Sequence, residues 1–181
     1  MFSNTDSSFG WLTRSLHWLI AIMILALVAL GWYLVEAGYY DPNYQRMLDW
    51  HQSLGVLVLV LVVLKFAWHV LSRPPHYLDS VGRPERWLAG TIRWLFYGLM
   101  LAIPITGYVI ATSEDGPVKV FGLFTLPAVF GRNADLNEVA LEIHYYTAYA
   151  IAALAALHGA GALKHHFVDR DRTLMRMLKG E

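Results

Sequence analysis

The chain has 181 residues, a formal net charge of zero, 56% hydrophobic and only 15% charged residues, and no cysteine. Soluble domains carry about a quarter charged residues, so this composition excludes an ordinary soluble fold, and the balanced charge gives no footprint for nucleic acid. Without cysteine there is no disulfide, thiolate metal site, iron–sulfur cluster or covalent C-x-x-C-H haem attachment, which leaves eight histidines as the strong nitrogen ligands.

A helix that crosses a bilayer needs about 20 mostly apolar residues, and four stretches qualify. Residues 15–35 carry no charge. They are longer than a signal-peptide core and no A-x-A site follows, so they read as a retained signal anchor. After the polar connection EAGYYDPNYQRMLD, residues 52–72 are interrupted only by Lys65. SRPPHYLDSVGRPERW, rich in proline and charge, ends that span. Residues 94–113 are uncharged and contain Pro104 and Gly107, which read as a packing kink. The long connection EDGPVKVFGLFTLPAVFGRNADLNE leads to residues 143–163, uncharged and containing His158. No internal repeat stands out, and the 181 residues read as one domain.

Basic residues orient these spans. On one side lie Arg14, Arg73, Arg83, Arg86, Arg93, Lys164, Arg170, Arg172, Arg176 and Lys179; on the other lie only Arg46, Lys119 and Arg132. The positive-inside rule puts both termini in the cytoplasm. Trp and Tyr cluster at span ends, as interfacial belts do. The expected fold is all-α: an integral membrane four-helix bundle whose backbones are satisfied internally in the lipid bilayer.

Ionisable residues inside a membrane are expensive and mark function. His144 and His158 are 14 residues apart on the fourth span. At about 100° and 1.5 Å per residue they share a face and stand about 21 Å apart in depth. The stripe between and beside them is Ala148, Ile151, Ala155 and Ala162, small enough to admit a flat, bulky group. His17 opens the first span with Ala21 one turn on; His51 opens the second with Gly55 one turn on. Depth pairs His17 with His158 near the cytoplasmic side and His51 with His144 near the opposite side. Two bis-histidine b-type haem sites stacked across the membrane follow. Zinc fits less well, because ligands so far apart on one helix cannot share one ion.

Four residues compete for or support the inner site. His165 lies seven past His158 on nearly the same face, but Lys164 and His166 flank it. With His166 it reads as interfacial, beside a haem propionate or a quinone headgroup, or as a plain positive-inside anchor. Lys65 needs an anionic partner, which a propionate supplies. His69 shares the face of His51 and stays open as a ligand, a propionate partner or a proton donor. Lys119 and Arg132 are the candidates for attracting an anionic donor on the outer side.

RSLHW, HQSLG, IPITG, FGLFTLP and the fourth-span pair ending HGAGALKHH resemble the bacterial cytochrome b561 family over nearly the whole chain. The resemblance implies a four-helix protein of the bacterial inner membrane. It implies two b haems held by His17, His51, His144 and His158. One branch consists of superoxide oxidases, which pass an electron from periplasmic superoxide to ubiquinone, and the chain's length and basic tail are similar to that branch. Family members often carry arginine where Lys65 and His69 stand, and neither makes arginine's bidentate fork. A second expectation is a haem-bearing electron-transfer subunit that serves a partner dehydrogenase or periplasmic redox protein. Catalytic residues proper remain unassigned by the sequence.

Overall fold

The computed structural model describes residues 1–114 and 116–180. Four long helices dominate it: α1 (Trp11–Ala37), α2 (Tyr44–Leu71), α3 (Arg83–Glu114) and α4 (Ala134–Phe167). Each is long and apolar enough to cross a membrane. At 1.5 Å per residue, the 34 residues of α4 reach about 51 Å, well beyond a hydrocarbon core of about 30 Å. Hydropathy marks only the lipid-crossing part. Outside it α4 runs on as a polar helix whose first turn is capped by Asn133, where the side-chain oxygen accepts the Leu136 N–H at 3.0 Å.

The helices are arranged in chain order, α1 on α2, α2 on α3 and α3 on α4, with α1 touching α4 only lightly. Ile20, Met23, Val58, Val62, Tyr97, Met100 and Ile151 form the buried centre. Most other large apolar side chains point outward, which is how a bundle solvated by lipid is built.

The long α3–α4 connection holds a feature that its sequence does not announce: a two-stranded antiparallel hairpin. Strands β1 (Val118–Val120) and β2 (Phe124–Leu126) pair with Val118 opposite Leu126 and Val120 opposite Phe124. It packs over one end of the bundle, with Val118 and Val120 buried on Ala111.

Both termini meet at the other end. The tail, read from sequence as a basic anchor, forms a short helix α5 (Thr173–Leu178). Trp18 Nε1 donates to the Met177 carbonyl at 3.2 Å and Arg14 Nη1 to the Leu178 carbonyl at 3.0 Å. Arg176 is buried and donates to the His76 carbonyl at 2.9 Å. The N-terminal residues fold against the same end, where Asn4 Nδ2 donates to the Ser72 carbonyl at 3.1 Å. Gly10 is required there, because a Cβ would stand 2.4 Å from the Phe2 carbonyl oxygen. The bundle thus has a hairpin end and a termini end.

Candidate functional site

Two pairs of histidines face each other inside the bundle, one toward each end. At the termini end, His17 of α1 and His158 of α4 have ring centres 6.2 Å apart and planes at 65°. At the hairpin end, His51 of α2 and His144 of α4 have ring centres 6.1 Å apart and planes at 66°. Both α4 histidines turn toward their partners because a 14-residue spacing keeps them on one face; His144 is half-buried and His158 is exposed. Ile151, midway between them, is 2% exposed and belongs to the central core.

These separations can be tested against a shared metal. A metal bound about 2 Å from each imidazole nitrogen, with about 1 Å more to each ring centre, sets the centres about 6 Å apart. Both pairs meet this spacing. Edge-on ring contacts fall in the same range, roughly 4.5–7 Å; the spacing shows that each pair leaves room for one metal between its rings.

The hairpin-end pair lines a cavity of about 710 Å³, within the range of cofactor sites, roughly 300–1,000 Å³. Two glycines shape its walls. A Cβ on Gly107 of α3 would lie 3.1 Å from His144 Cε1, and one on Gly31 of α1 would lie 3.3 Å from His51 Cε1. Each glycine lets a helix backbone approach an imidazole directly. His144 is fixed further, since its Nδ1 lies 2.9 Å from the Ile103 carbonyl. A carbonyl only accepts, so Nδ1 carries the proton and Nε2 keeps a lone pair for a metal. Thr106 Oγ1 stands 3.3 Å from the same Nδ1. His51 Nδ1 is buried with no hydrogen-bond partner among the described residues. Ala148 and Gly55, the small residues expected beside these histidines, both line the cavity, and among the described residues Glu114 is the one acidic side chain in its wall.

The termini-end pair is held by aromatic rings. Phe96 packs edge-on against His158 at 5.5 Å and Trp18 against His17 at 5.2 Å. Lys65 is close enough to His17 for their charges to interact. Arg93 stands in the same relation to Lys65, to His69 and to Tyr97. The His69 and Tyr97 rings are 6.0 Å apart, and Arg93 Nη2 donates to the Tyr77 hydroxyl at 3.3 Å. Among the described residues no ion pair involves Lys65 or Arg93. Lys65 thus stands beside His17 and groups with Arg93 and His69, with no carboxylate paired to Lys65 or Arg93 among the described residues, an arrangement suited to an anionic group. Arg93 was counted from sequence only among basic loop residues. The one signal for it was its position immediately before the third span.

His165 is not gathered into this group. Its Nδ1 lies 2.8 Å from Asp171 and 3.1 Å from Asp169, so its side chain serves the junction of α4 with α5. Lys164 bridges Asp169 at 2.8 Å and Glu85 at 3.1 Å. The Gly82 N–H and then Lys164 hold the Glu85 carboxyl below its ordinary range. His166 packs edge-on against Phe167. Lys119 points outward from β1, and Arg132 is exposed in the loop before α4.

The sequence pattern of the family described as Prokaryotic cytochrome b561 matches residues 8–180. The chain is 37% identical over 177 residues to "Cytochrome b561 homolog 2" of Escherichia coli (strain K12), covering 98% of this chain and 94% of that protein. It is 29% identical over 172 residues to "Probable superoxide oxidase CybB" of Yersinia pestis, covering 94% and 95%. It is also 28% identical over 172 residues to "Cytochrome b562" of Cereibacter sphaeroides, covering 91% of each.

Proposed function

The chain belongs to the prokaryotic cytochrome b561 family, and on that footing we propose that it oxidises superoxide at the hairpin end and reduces ubiquinone, using two b-type haems. Transmembrane electron transfer with b-type haem is the activity of that family, and the chain is a multi-pass membrane protein. In our reading His17 and His158 hold one haem, and His51 and His144 hold the other. The observation that carries it is the matched spacing of the two pairs, 6.2 and 6.1 Å between ring centres. When bound, the haems supply reversible one-electron storage at iron.

The chain's own residues do the rest. The Ile103 carbonyl orients His144 and strengthens it as a donor ligand. Gly31 and Gly107 keep the cavity walls thin enough for a flat macrocycle. Lys65 and Arg93 supply positive charge for carboxylates at the termini end, with His69 beside them. Two superoxide anions each lose one electron and become dioxygen; the two electrons and two protons taken from water convert one quinone to quinol. In our reading the termini end faces the cytoplasm of a bacterium and the hairpin end lies outside its inner membrane, which the basic-residue balance supports.

A second reading is favoured by one observation. Among the described residues the cavity wall contains no lysine or arginine, and Glu114 is its one acidic side chain. Lys119 stands outside, next to the cavity-lining Val118. An anion is therefore not drawn into the cavity itself, which suits a donor protein that docks on the surface, with this chain as its electron-transfer subunit. Stopped-flow haem reduction by superoxide, with and without ubiquinone, separates the two. Rapid reduction followed by quinone-dependent reoxidation supports superoxide:quinone activity. Haem that stays oxidised in superoxide, yet is reduced by a partner protein, supports the subunit.

A further inference from the structure

The hairpin carries an apolar surface that electron transfer leaves unused. Its inner side is accounted for, because Val118 and Val120 are buried against Ala111, with Val56 and Tyr108 packed beside them. The turn and the first residue of β2 are different: Leu123 is 81% exposed and Phe124 53%. Clustered exposure of large apolar side chains marks a contact surface.

Two anchors fix where this turn stands. The first sets its depth. The Ser53 hydroxyl accepts the Phe121 N–H at 2.9 Å and donates to the Lys119 carbonyl at 3.4 Å. Ser53 opens the apolar part of α2, so the turn sits level with the end of a membrane span. The second sets its direction. The Phe121 ring packs edge-on against Trp50, with centres 5.7 Å apart. Trp50 shares a helical face with Leu57 and Leu64 at seven-residue spacing, and the three are 47%, 38% and 54% exposed. Leu57 and Leu64 lie within the span and face lipid. The turn therefore overhangs the lipid side of α2 and not the bundle axis. Positive φ at Phe121 (50°) and Gly122 (68°) makes the tight reversal before Leu123.

We propose that this turn is an interfacial wedge, with Leu123 and Phe124 inserted at the headgroup–acyl boundary of the leaflet at the hairpin end. The occupant of the apolar surface is phospholipid, because the surface continues the lipid-facing stripe of α2 through Trp50 and Phe121. Lys119, exposed on the neighbouring strand, is placed for phosphate at the same level. Because Val118 lines the hairpin-end cavity, the wedge ties the cavity roof to the membrane surface. This holds whichever donor the protein uses.

The absence of cysteine makes Leu123→Cys a unique thiol for an environment-sensitive fluorophore. The labelled, haem-loaded protein is placed in phosphatidylcholine–phosphatidylglycerol vesicles. Emission blue-shifted from that of the label in water is expected. Quenching by nitroxide lipids should follow, stronger for a nitroxide near the headgroup than for one deep in the chain, with protection from aqueous iodide. Phe124→Cys, carrying the same label, is expected to behave alike. Water-like emission in both variants, quenched by iodide and untouched by nitroxide lipids, overturns the proposal and leaves the patch to water or to a protein. An unchanged haem spectrum establishes that the labelled protein is folded.

Discussion

The two histidine pairs have nearly the same separation and ring angle, yet the protein holds them by different means. At the hairpin end, backbone does the work: Gly31 and Gly107 approach the rings, and the Ile103 carbonyl fixes one tautomer. At the termini end, side chains do it: Phe96 and Trp18 pack the rings, and Lys65, near His17, groups with His69 and Arg93. Backbone contacts set orientation rigidly and carry little net charge. Side-chain cations set potential and are sensitive to single substitutions. On the proposed haem assignment, similar pair geometry would serve two centres with different electronic settings.

The strongest way to break this comparison is to remove a ligand from each end. His144→Ala is expected to lose the hairpin-end haem and keep the other; His158→Ala should do the reverse. Each change halves the haem-to-protein ratio, measured as pyridine haemochrome. His165→Ala should leave the ratio intact, because its side chain serves Asp169 and Asp171. Next in size is Gly107→Ala. Its Cβ meets His144 Cε1 at 3.1 Å, an overpacking of about 1–3 kcal/mol. The expected readout is a changed low-spin ferric EPR signal at the hairpin-end haem alone. Gly159→Ala, whose Cβ meets nothing within 4 Å, is the matched control at the other end.

A smaller effect comes from charge. Arg93→Gln and Lys65→Gln each remove a cation near the termini-end pair, which disfavours the reduced state with its extra electron. The potential of that haem is expected to fall by roughly 60 mV or less, equivalent to about tenfold for one electron, while the hairpin-end haem stays put in the same redox titration.

The smallest effect lies at the junction of α3 with α4. Glu85 is held below the ordinary carboxylate range by the Gly82 N–H and Lys164. Its tie to Lys164 is therefore present above the unfolded carboxyl value and lost as pH falls through the lower folded one. The thermal-stability difference between wild type and Glu85→Gln should be slight at neutral pH and vanish in acid.

Much of this was legible from residue spacing. Helical phase and depth alone brought His17 to His158 and His51 to His144, because a long apolar helix fixes both angle and rise. Features that depend on helix packing were hidden. Gly107 read as part of a kink, and its approach to His144 exists only once α3 lies on α4. Arg93 reaches Lys65 across two helices and a loop. Strands of three residues are too short to show alternation. The six residues of α5 would not nucleate a helix alone; contacts from Arg14, Trp18 and His76 hold it.

The most direct test of the central claim is the haem content of the purified wild-type chain, followed by redox titration. Two b haems per chain, titrating as two components of which His158→Ala removes one, is the expected result. A ratio of one, or a ratio that His158→Ala leaves unchanged, contradicts the assignment of two haems to these two histidine pairs.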